Sequence, residues 1–104
     1  MIIRGGENIY PKEIEEFFLE HPKVSDCQVI AVPDKKYGEE AMACIILMEG
    51  AEATEAEMRE YAMSHIARHK VPRYIEFVEK FPMNAAGKIQ KHLMRAWAKE
   101  KLGL

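Results

Sequence analysis

The sequence predicts an α+β domain, in which a small three-stranded sheet packs with about three helices and a short N-terminal segment resembles a β-hairpin. Three observations favour this class. Apolar residues recur at helical spacing in three stretches, other runs favour strands, and proline or glycine stands at most boundaries. A chain of 104 residues has the size of one domain with a modest core, so we expect residues 1–104 to form a single domain.

The first part of the chain predicts a strand, a loop and a helix. Residues 1–4 suit a short strand, and the two glycines that follow predict a tight loop over residues 5–10. Pro11 suits the first turn of a helix, where its missing N–H is not needed. We expect this helix to continue to about His21 and to end at Pro22.

The next stretch predicts the two main strands. Residues 24–32 are rich in residues that favour strands, and residues 41–48 are entirely apolar, so the second strand should be more deeply buried. Residues 35–38 separate the two as a turn, and Gly50 ends the second strand. An apolar run of this length cannot cross a bilayer, so no membrane span is predicted.

A second helix and a third strand follow. The capping-box pattern from Thr54 to Glu57 opens a helix that should run to about His69. Residues 74–78 then predict the third strand. One side of the helix is expected to carry an apolar stripe made of Met58, Tyr61, Ala62, His65 and Ile66.

The last helix is predicted over residues 91–102, with Gly103 as its stop. Leu93, Ala96 and Trp97 are expected to face inward, and Trp97 and the phenylalanines are assigned to the core.

Charge is divided unevenly along the chain. Residues 1–64 carry 6 Lys/Arg against 14 Asp/Glu, a net of −8, whereas residues 65–104 carry 9 against 3, a net of +6. A basic face of this kind suits a multiply phosphorylated small molecule, and it is equally typical of a solvated surface. Cys27 and Cys44 lack metal-site spacing, so we expect reduced core residues in a cytoplasmic protein and no metal site.

Gly87 and Lys88 stand in a loop between the third strand and the last helix. Glycine permits backbone angles closed to other residues, and a lysine on such a loop can deliver a charge to a phosphate or carboxylate. Solvated surface lysines are common, so this pattern alone leaves both interpretations open.

Four motifs together cover essentially the whole chain. Residues 2–15 have the sequence IIRGGENIYPKEIE, residues 32–39 VPDKKYGE, residues 70–73 KVPR, and residues 81–89 FPMNAAGKI. In order and spacing they resemble the C-terminal domain of adenylate-forming enzymes, most strongly that of acyl-CoA synthetases.

The resemblance implies a two-step ligase reaction. A carboxylic acid reacts with ATP to give an acyl-adenylate, and CoA then displaces AMP. Lys88 matches the family's adenylation lysine, with Gly87 beside it. The family's large N-terminal domain would hold Mg²⁺, most nucleotide contacts and the acyl pocket. Since this chain starts after the family's acidic hinge residue, we expect a fragment or detached domain that is inactive alone.

The resemblance also implies a second set of contacts, made after the domain has rotated. Gly5 and Gly6 would approach the nucleotide and line the path of the pantetheine arm. Tyr37 is either a packed aromatic or a platform for the CoA adenine. His69, Lys70 and Arg73 either bind CoA phosphates or form a solvated basic turn.

Two alternatives remain open at the level of sequence. The chain could belong to an adenylation domain that loads a carrier-protein pantetheine, or it could be a free-standing nucleotide- or RNA-binding module. RNA-binding modules usually pair basic residues with exposed aromatic platforms, whereas most aromatics here occupy predicted core positions. We therefore expect no nucleic-acid partner.

Overall fold

A computed structural model describes all of residues 1–104 and contains five strands, three α-helices and one short 3₁₀ helix. The strands and helices, in chain order, are β1 (Ile2–Arg4), β2 (Glu7–Ile9), α1 (Pro11–Leu19), β3 (Val24–Asp34), β4 (Gly38–Leu47), α2 (Glu55–His65), the 3₁₀ helix (Arg68–Lys70), β5 (Tyr74–Phe77) and α3 (Lys91–Leu102).

Strand β4 is the centre of a mixed sheet. It pairs with β3 in antiparallel fashion along nearly its whole length. On its other side, residues 42–45 pair in parallel with β5, and Gly38 pairs with Arg4 of β1. The order β2-β1-β4-β3 makes β3 an edge strand and puts the N-terminal hairpin (residues 2–9) at the opposite edge.

The α+β class is confirmed, but the sheet has five strands where the sequence predicted three. The hairpin joins the main sheet instead of standing beside it. Residues 5–10 were expected to be a loop, and this is wrong for residues 7–9, which form β2. The strand begins with two polar residues, Glu7 and Asn8, which favoured a loop. Its only buried residue, Ile9, anchors it.

Helices lie on both faces of the sheet, so there are two apolar cores. Helices α1 and α2 cover one face, where Phe18 and Met58 are fully buried. Helix α3 covers the other face, where Met94 and Ala98 pack against Ile30 and Val32 of β3. The two cysteines are free and buried, Cys27 in the first core and Cys44 in the second.

The inward face predicted for α3 is wrong. Leu93 and Trp97 are 49% and 38% exposed and Ala96 is exposed, whereas Met94 and Ala98 are buried. The helix carries apolar residues on two adjacent stripes. Because Trp97 is large and aromatic, the stripe that contains it was assigned to the core. The small side chain of Ala98 lets the helix approach the sheet closely, which Trp97 would prevent.

Helix α2 begins as predicted but ends early. The Thr54 hydroxyl accepts from the Glu57 N–H (3.1 Å), which is the expected N-cap. The helix stops at His65 because Ile66 is extended, with φ −124°. His65 lies on the predicted side of the helix, with its ring 4.8 Å from that of Tyr61, but it is exposed. The other four residues of the predicted stripe are buried or half-buried. None of the helices combines the length and apolar character needed to cross a bilayer.

Candidate functional site

The lysine loop (residues 83–89) is a tight reversal that precedes α3. Met83 and Ile89 form an antiparallel bridge at its base. Inside it, the Asn84 N–H donates to the Lys88 carbonyl (3.0 Å) and the Gly87 N–H donates to the Asn84 carbonyl (3.0 Å). Gly87 has φ +80°, which a side chain would strain. The loop therefore has a defined backbone and needs a glycine directly before Lys88.

The side chain of Asn84 organises this loop. Its Oδ1 accepts from the N–H groups of both Ala86 and Lys88, each at 3.0 Å. No role was predicted for Asn84 from the sequence. The available signal was that asparagine readily bonds the backbone two residues further on.

The ammonium of Lys88 is unengaged. The residue is exposed, and its side chain makes no ion pair and no hydrogen bond. Its backbone, by contrast, is fixed at both the N–H and the carbonyl. A free charge on a fixed backbone suits electrostatic stabilisation of an incoming anion, because little reorganisation is needed when the anion binds.

Gly5 and Gly6 form the two-residue turn of the N-terminal hairpin. They connect Arg4 and Glu7, which face each other in the register of β1 and β2. Both have positive φ, +55° and +90°, as a type I′ hairpin turn requires. The turn projects from the edge of the sheet with both glycines exposed, so its backbone can be approached closely.

The corner between β3 and β4 holds this hairpin. Asp34 Oδ2 accepts from the N–H groups of Lys36 (3.0 Å) and Tyr37 (2.8 Å), which fixes the corner. The Tyr37 carbonyl then accepts from the Gly5 N–H at 2.8 Å. A Cβ atom on Gly5 would lie 2.9 Å from the Tyr37 ring, so glycine is needed there for packing as well as for φ.

Arg4 links the hairpin to the sheet. Its guanidinium lies 3.9 Å from the centre of the Tyr37 ring and pairs with Glu40, whose side chain is almost fully buried. Burial lowers the pKa of Arg4, but the hydrogen bond and charge of Glu40 outweigh this and raise the pKa. The Ile3 N–H adds a bond to Glu39 Oε1 (2.9 Å). One face of the Tyr37 ring is thus already covered.

Arg73 lies in a groove of about 550 Å³, the arginine groove, which Arg4, Arg59 and Arg68 also line. Arg59 is committed to Glu55 (2.7 Å) and to the Arg73 carbonyl, whereas the guanidinium groups of Arg68 and Arg73 pair with no carboxylate. A hydrogen bond to the Tyr74 hydroxyl raises the pKa of Arg73. The groove, which Glu40 and Glu55 also line, therefore offers an anion two guanidinium groups that have no carboxylate partner.

His69 and Lys70 are engaged elsewhere. His69 Nδ1 lies 3.4 Å from Glu7 Oε2 of the hairpin, and Lys70 Nζ lies 2.7 Å from Glu13 Oε1 of α1. The structure thus separates Arg73 from His69 and Lys70, although the three are close in sequence. Their binding of CoA phosphates stays a prediction, and for His69 and Lys70 it would require exchange of these carboxylate partners.

A family model described as the AMP-binding enzyme C-terminal domain matches residues 13–88, which is more than half of the 104 residues. The chain belongs to this family. The matched segment contains the β3–β4 corner, the arginine groove residues Arg59, Arg68 and Arg73, and Lys88.

Relatives of this C-terminal domain extend the match to the N-terminal hairpin. The mitochondrial medium-chain acyl-CoA ligase of Danio rerio is 53% identical over 104 residues, which is 100% of this chain and 17% of that protein. The C-terminal domain therefore spans less than a fifth of the length of this relative. This relative and the family model together identify the chain as a C-terminal domain of the acyl-CoA synthetase family.

Solved structures agree with this family. A Mycobacterium tuberculosis fatty acyl CoA synthetase superposes with a TM-score of 0.88 at 40% identity, covering 97% of this chain and 20% of that chain. ATP-bound MatB from Rhodopseudomonas palustris gives a TM-score of 0.89 at 36% identity, covering 93% and 19%. The five-stranded sheet with helices on both faces is therefore the fold of this family's C-terminal domain.

Several residues of the site escaped sequence reasoning. Arg4 and Glu40 pair across 36 positions, and Arg59 and Arg68 join Arg73 only through the packing of α2 against β5. Such pairings have no local signature. Asn84 did have one, in its Asx chemistry, and it was overlooked.

Proposed function

We propose that this chain is the mobile C-terminal domain of an acyl-CoA synthetase, joined to a large N-terminal domain, and that its two glycine turns serve successive half-reactions. The observation that carries the proposal is their arrangement. The hairpin turn of Gly5 and Gly6 lies on the β1 side of β4, whereas the lysine loop is tied to the outer edge of β3 through Lys91. A domain that rotates between two poses could present each edge in turn.

In the first half-reaction the substrate carboxylate attacks the α-phosphate of ATP, forming the acyl-adenylate and releasing pyrophosphate. Negative charge develops between the attacking oxygen and the phosphate. The Lys88 ammonium, free of partners on a fixed backbone, stabilises that charge. Loss of one such contact typically costs about 3–4 kcal/mol of transition-state stabilisation.

In the second half-reaction the CoA thiol attacks the acyl carbonyl carbon, the C–O bond to AMP breaks, and AMP leaves. The exposed hairpin turn lines the path of the pantetheine arm, where Gly6 leaves room for it. Arg68 and Arg73 of the arginine groove suit the phosphates of CoA, because both guanidinium groups lack carboxylate partners. The ring face of Tyr37 opposite Arg4 would stack on the adenine.

The remaining chemistry is assigned to the large domain. That domain would hold Mg²⁺ and the acyl pocket, and we expect the isolated chain to be inactive. A fatty or other carboxylic acid is the substrate.

The test separates the two half-reactions in the full-length ligase that contains this chain. Lys88→Ala should lower acyl-adenylate formation, measured as single-turnover pyrophosphate release, by about 100- to 1,000-fold. Thioester formation from supplied acyl-adenylate should continue at the original rate. Lys99→Ala is a matched control, because Lys99 is an exposed lysine of α3 without an ion pair. Equal losses in both half-reactions would show that Lys88 is structural.

A further inference from the structure

Lys91 makes an unusual contact at the outer edge of the sheet. Its Nζ donates to Glu15 Oε2 of α1 (2.7 Å) and to the Val29 carbonyl of β3 (2.9 Å). The same Glu15 oxygen accepts from the Val29 N–H (2.8 Å). One ion pair thus satisfies both polar groups that Val29 presents on the open edge of β3, where no further strand pairs.

The position of Lys91 breaks a local rule of helix construction. It is the first residue of α3, and a positive charge at a helix N-terminus is unfavourable because the helix dipole is positive there. The first turn of α3 carries no acidic residue, and Gln90 provides no side-chain cap. Glu15 supplies the missing negative charge from another helix. When a residue violates a local preference and a distant residue compensates for it, we infer that the residue has a structural role.

The structural role of Lys91 involves the lysine loop, which ends two residues before it. Phe81, which precedes the loop, is buried between α3 and the sheet, and Ile89 at the end of the loop packs against the same core. Directly after the loop, the Gln90 N–H donates to the Pro82 carbonyl (2.8 Å), and the next residue is Lys91. The Lys91 contact therefore joins the C-terminal end of the loop to α1 and to the sheet.

We propose that Glu15 and Lys91 are positioning residues for Lys88. They touch neither substrate nor nucleotide. They fix where the lysine loop leaves the sheet, so that the Lys88 ammonium meets the α-phosphate when the domain adopts its adenylation pose. The inference rests on the proposed function, because it assumes the adenylation role of Lys88.

The positioning role predicts a loss confined to one half-reaction. In the full-length ligase, Lys91→Met should slow adenylation about 10- to 100-fold, as small misplacements of a catalytic group do, and leave thioester formation unchanged. Lys91→Arg keeps donors for both acceptors and should retain most of the rate. Glu15→Gln should give an intermediate loss, because its amide oxygen still accepts from Val29 but the charge is gone. Matched controls are Lys99→Met in α3 and Glu16→Gln in α1, both exposed residues without ion pairs.

A double variant tests whether Lys91 acts through Lys88. Added to Lys88→Ala, the Lys91→Met substitution should cause no further loss of the residual adenylation rate. A further loss, or an equal loss in both half-reactions of the single variant, would overturn the inference. Since the ratio of the two half-reactions is measured on one preparation, partial unfolding lowers both rates and leaves that ratio unchanged.

The two proposals fail in different ways. If Lys88→Ala leaves adenylation intact, the proposed role of Lys88 is wrong and the positioning role falls with it. If Lys88→Ala abolishes adenylation while Lys91→Met behaves like Lys99→Met, only the positioning role is wrong.

Discussion

The N-terminal hairpin and the lysine loop both contain glycines with positive φ, yet they are held in place in different ways. The contacts that fix the hairpin come from residues more than thirty positions away, at the β3–β4 corner: Tyr37, Glu39 and Glu40. The contacts inside the lysine loop come from within it, chiefly from Asn84. Distant substitutions should therefore disturb the hairpin, whereas the interior of the loop should respond mainly to its own residues.

The largest expected effect on stability comes from a substitution that releases the hairpin. Glu40→Leu removes the partner of Arg4 and should lower the free energy of unfolding by about 1–3 kcal/mol, because it leaves a partly buried charge without its carboxylate. Denaturant unfolding of the full-length enzyme measures this. The double variant Arg4→Met/Glu40→Leu should recover much of the loss. If Glu40→Leu and the double variant are equally unstable, the ion pair does not hold the hairpin.

The next prediction distinguishes the effect of Gly6→Leu on stability from its effect on thioester transfer. A Cβ atom on Gly6 meets no atom of this domain within 4 Å, so the main cost of Gly6→Leu within the domain should be the strain of a positive φ, about 1–2 kcal/mol. Thioester transfer should nevertheless fall about 100-fold, since a side chain would obstruct the pantetheine path, while single-turnover pyrophosphate release stays nearly intact. Acyl-adenylate should accumulate on the enzyme.

A melting curve of the same variant is the control for Gly6→Leu. A protein that melts normally but loses adenylation, or that keeps full transfer, would mean that the turn does not enter the second active site.

The smallest effect is expected in the lysine loop. Asn84→Ala removes two hydrogen bonds to exposed N–H groups, which water can replace, so unfolding should change by only about 1 kcal/mol. Adenylation should still fall about tenfold, because the Lys88 backbone loses its anchor. Asn84→Asp keeps the accepting oxygen and should restore most of the rate. Amide exchange at Ala86 and Lys88 should quicken in Asn84→Ala alone; unchanged exchange would contradict the role of Asn84.

The comparison also explains what could be predicted from sequence. The α+β class, the helix starts at Pro11 and Thr54, and the stop at Gly103 follow from local chemistry, and the structure confirms them. The hairpin-like N-terminal segment is also confirmed. Its joining to the main sheet and the inward stripe of α3 depend on how whole elements pack, and neither was predicted correctly.

The same limit applies to the site. Lys88 was found because its motif is contiguous, and its catalytic role remains a prediction. The Arg4–Glu40 pair joins residues 36 positions apart, and the Glu15–Lys91 pair joins residues 76 positions apart. A single sequence does not reveal such pairings. Sequence therefore indicated the residues proposed to meet substrate better than those that hold them in place.

The two cysteines point to opposite faces of the same sheet, and this gives the domain a pair of internal reporters. Burial raises the pKa of both thiols, that of Cys44 to about 12, so neither is reactive while its core is closed. Because the sheet lies between them, they cannot form a disulfide in the folded state. Thiol labelling of Cys27 would time the opening of the α1–α2 side, and labelling of Cys44 the lifting of α3. Chemical trapping could thus show whether the two layers come apart together or one after the other.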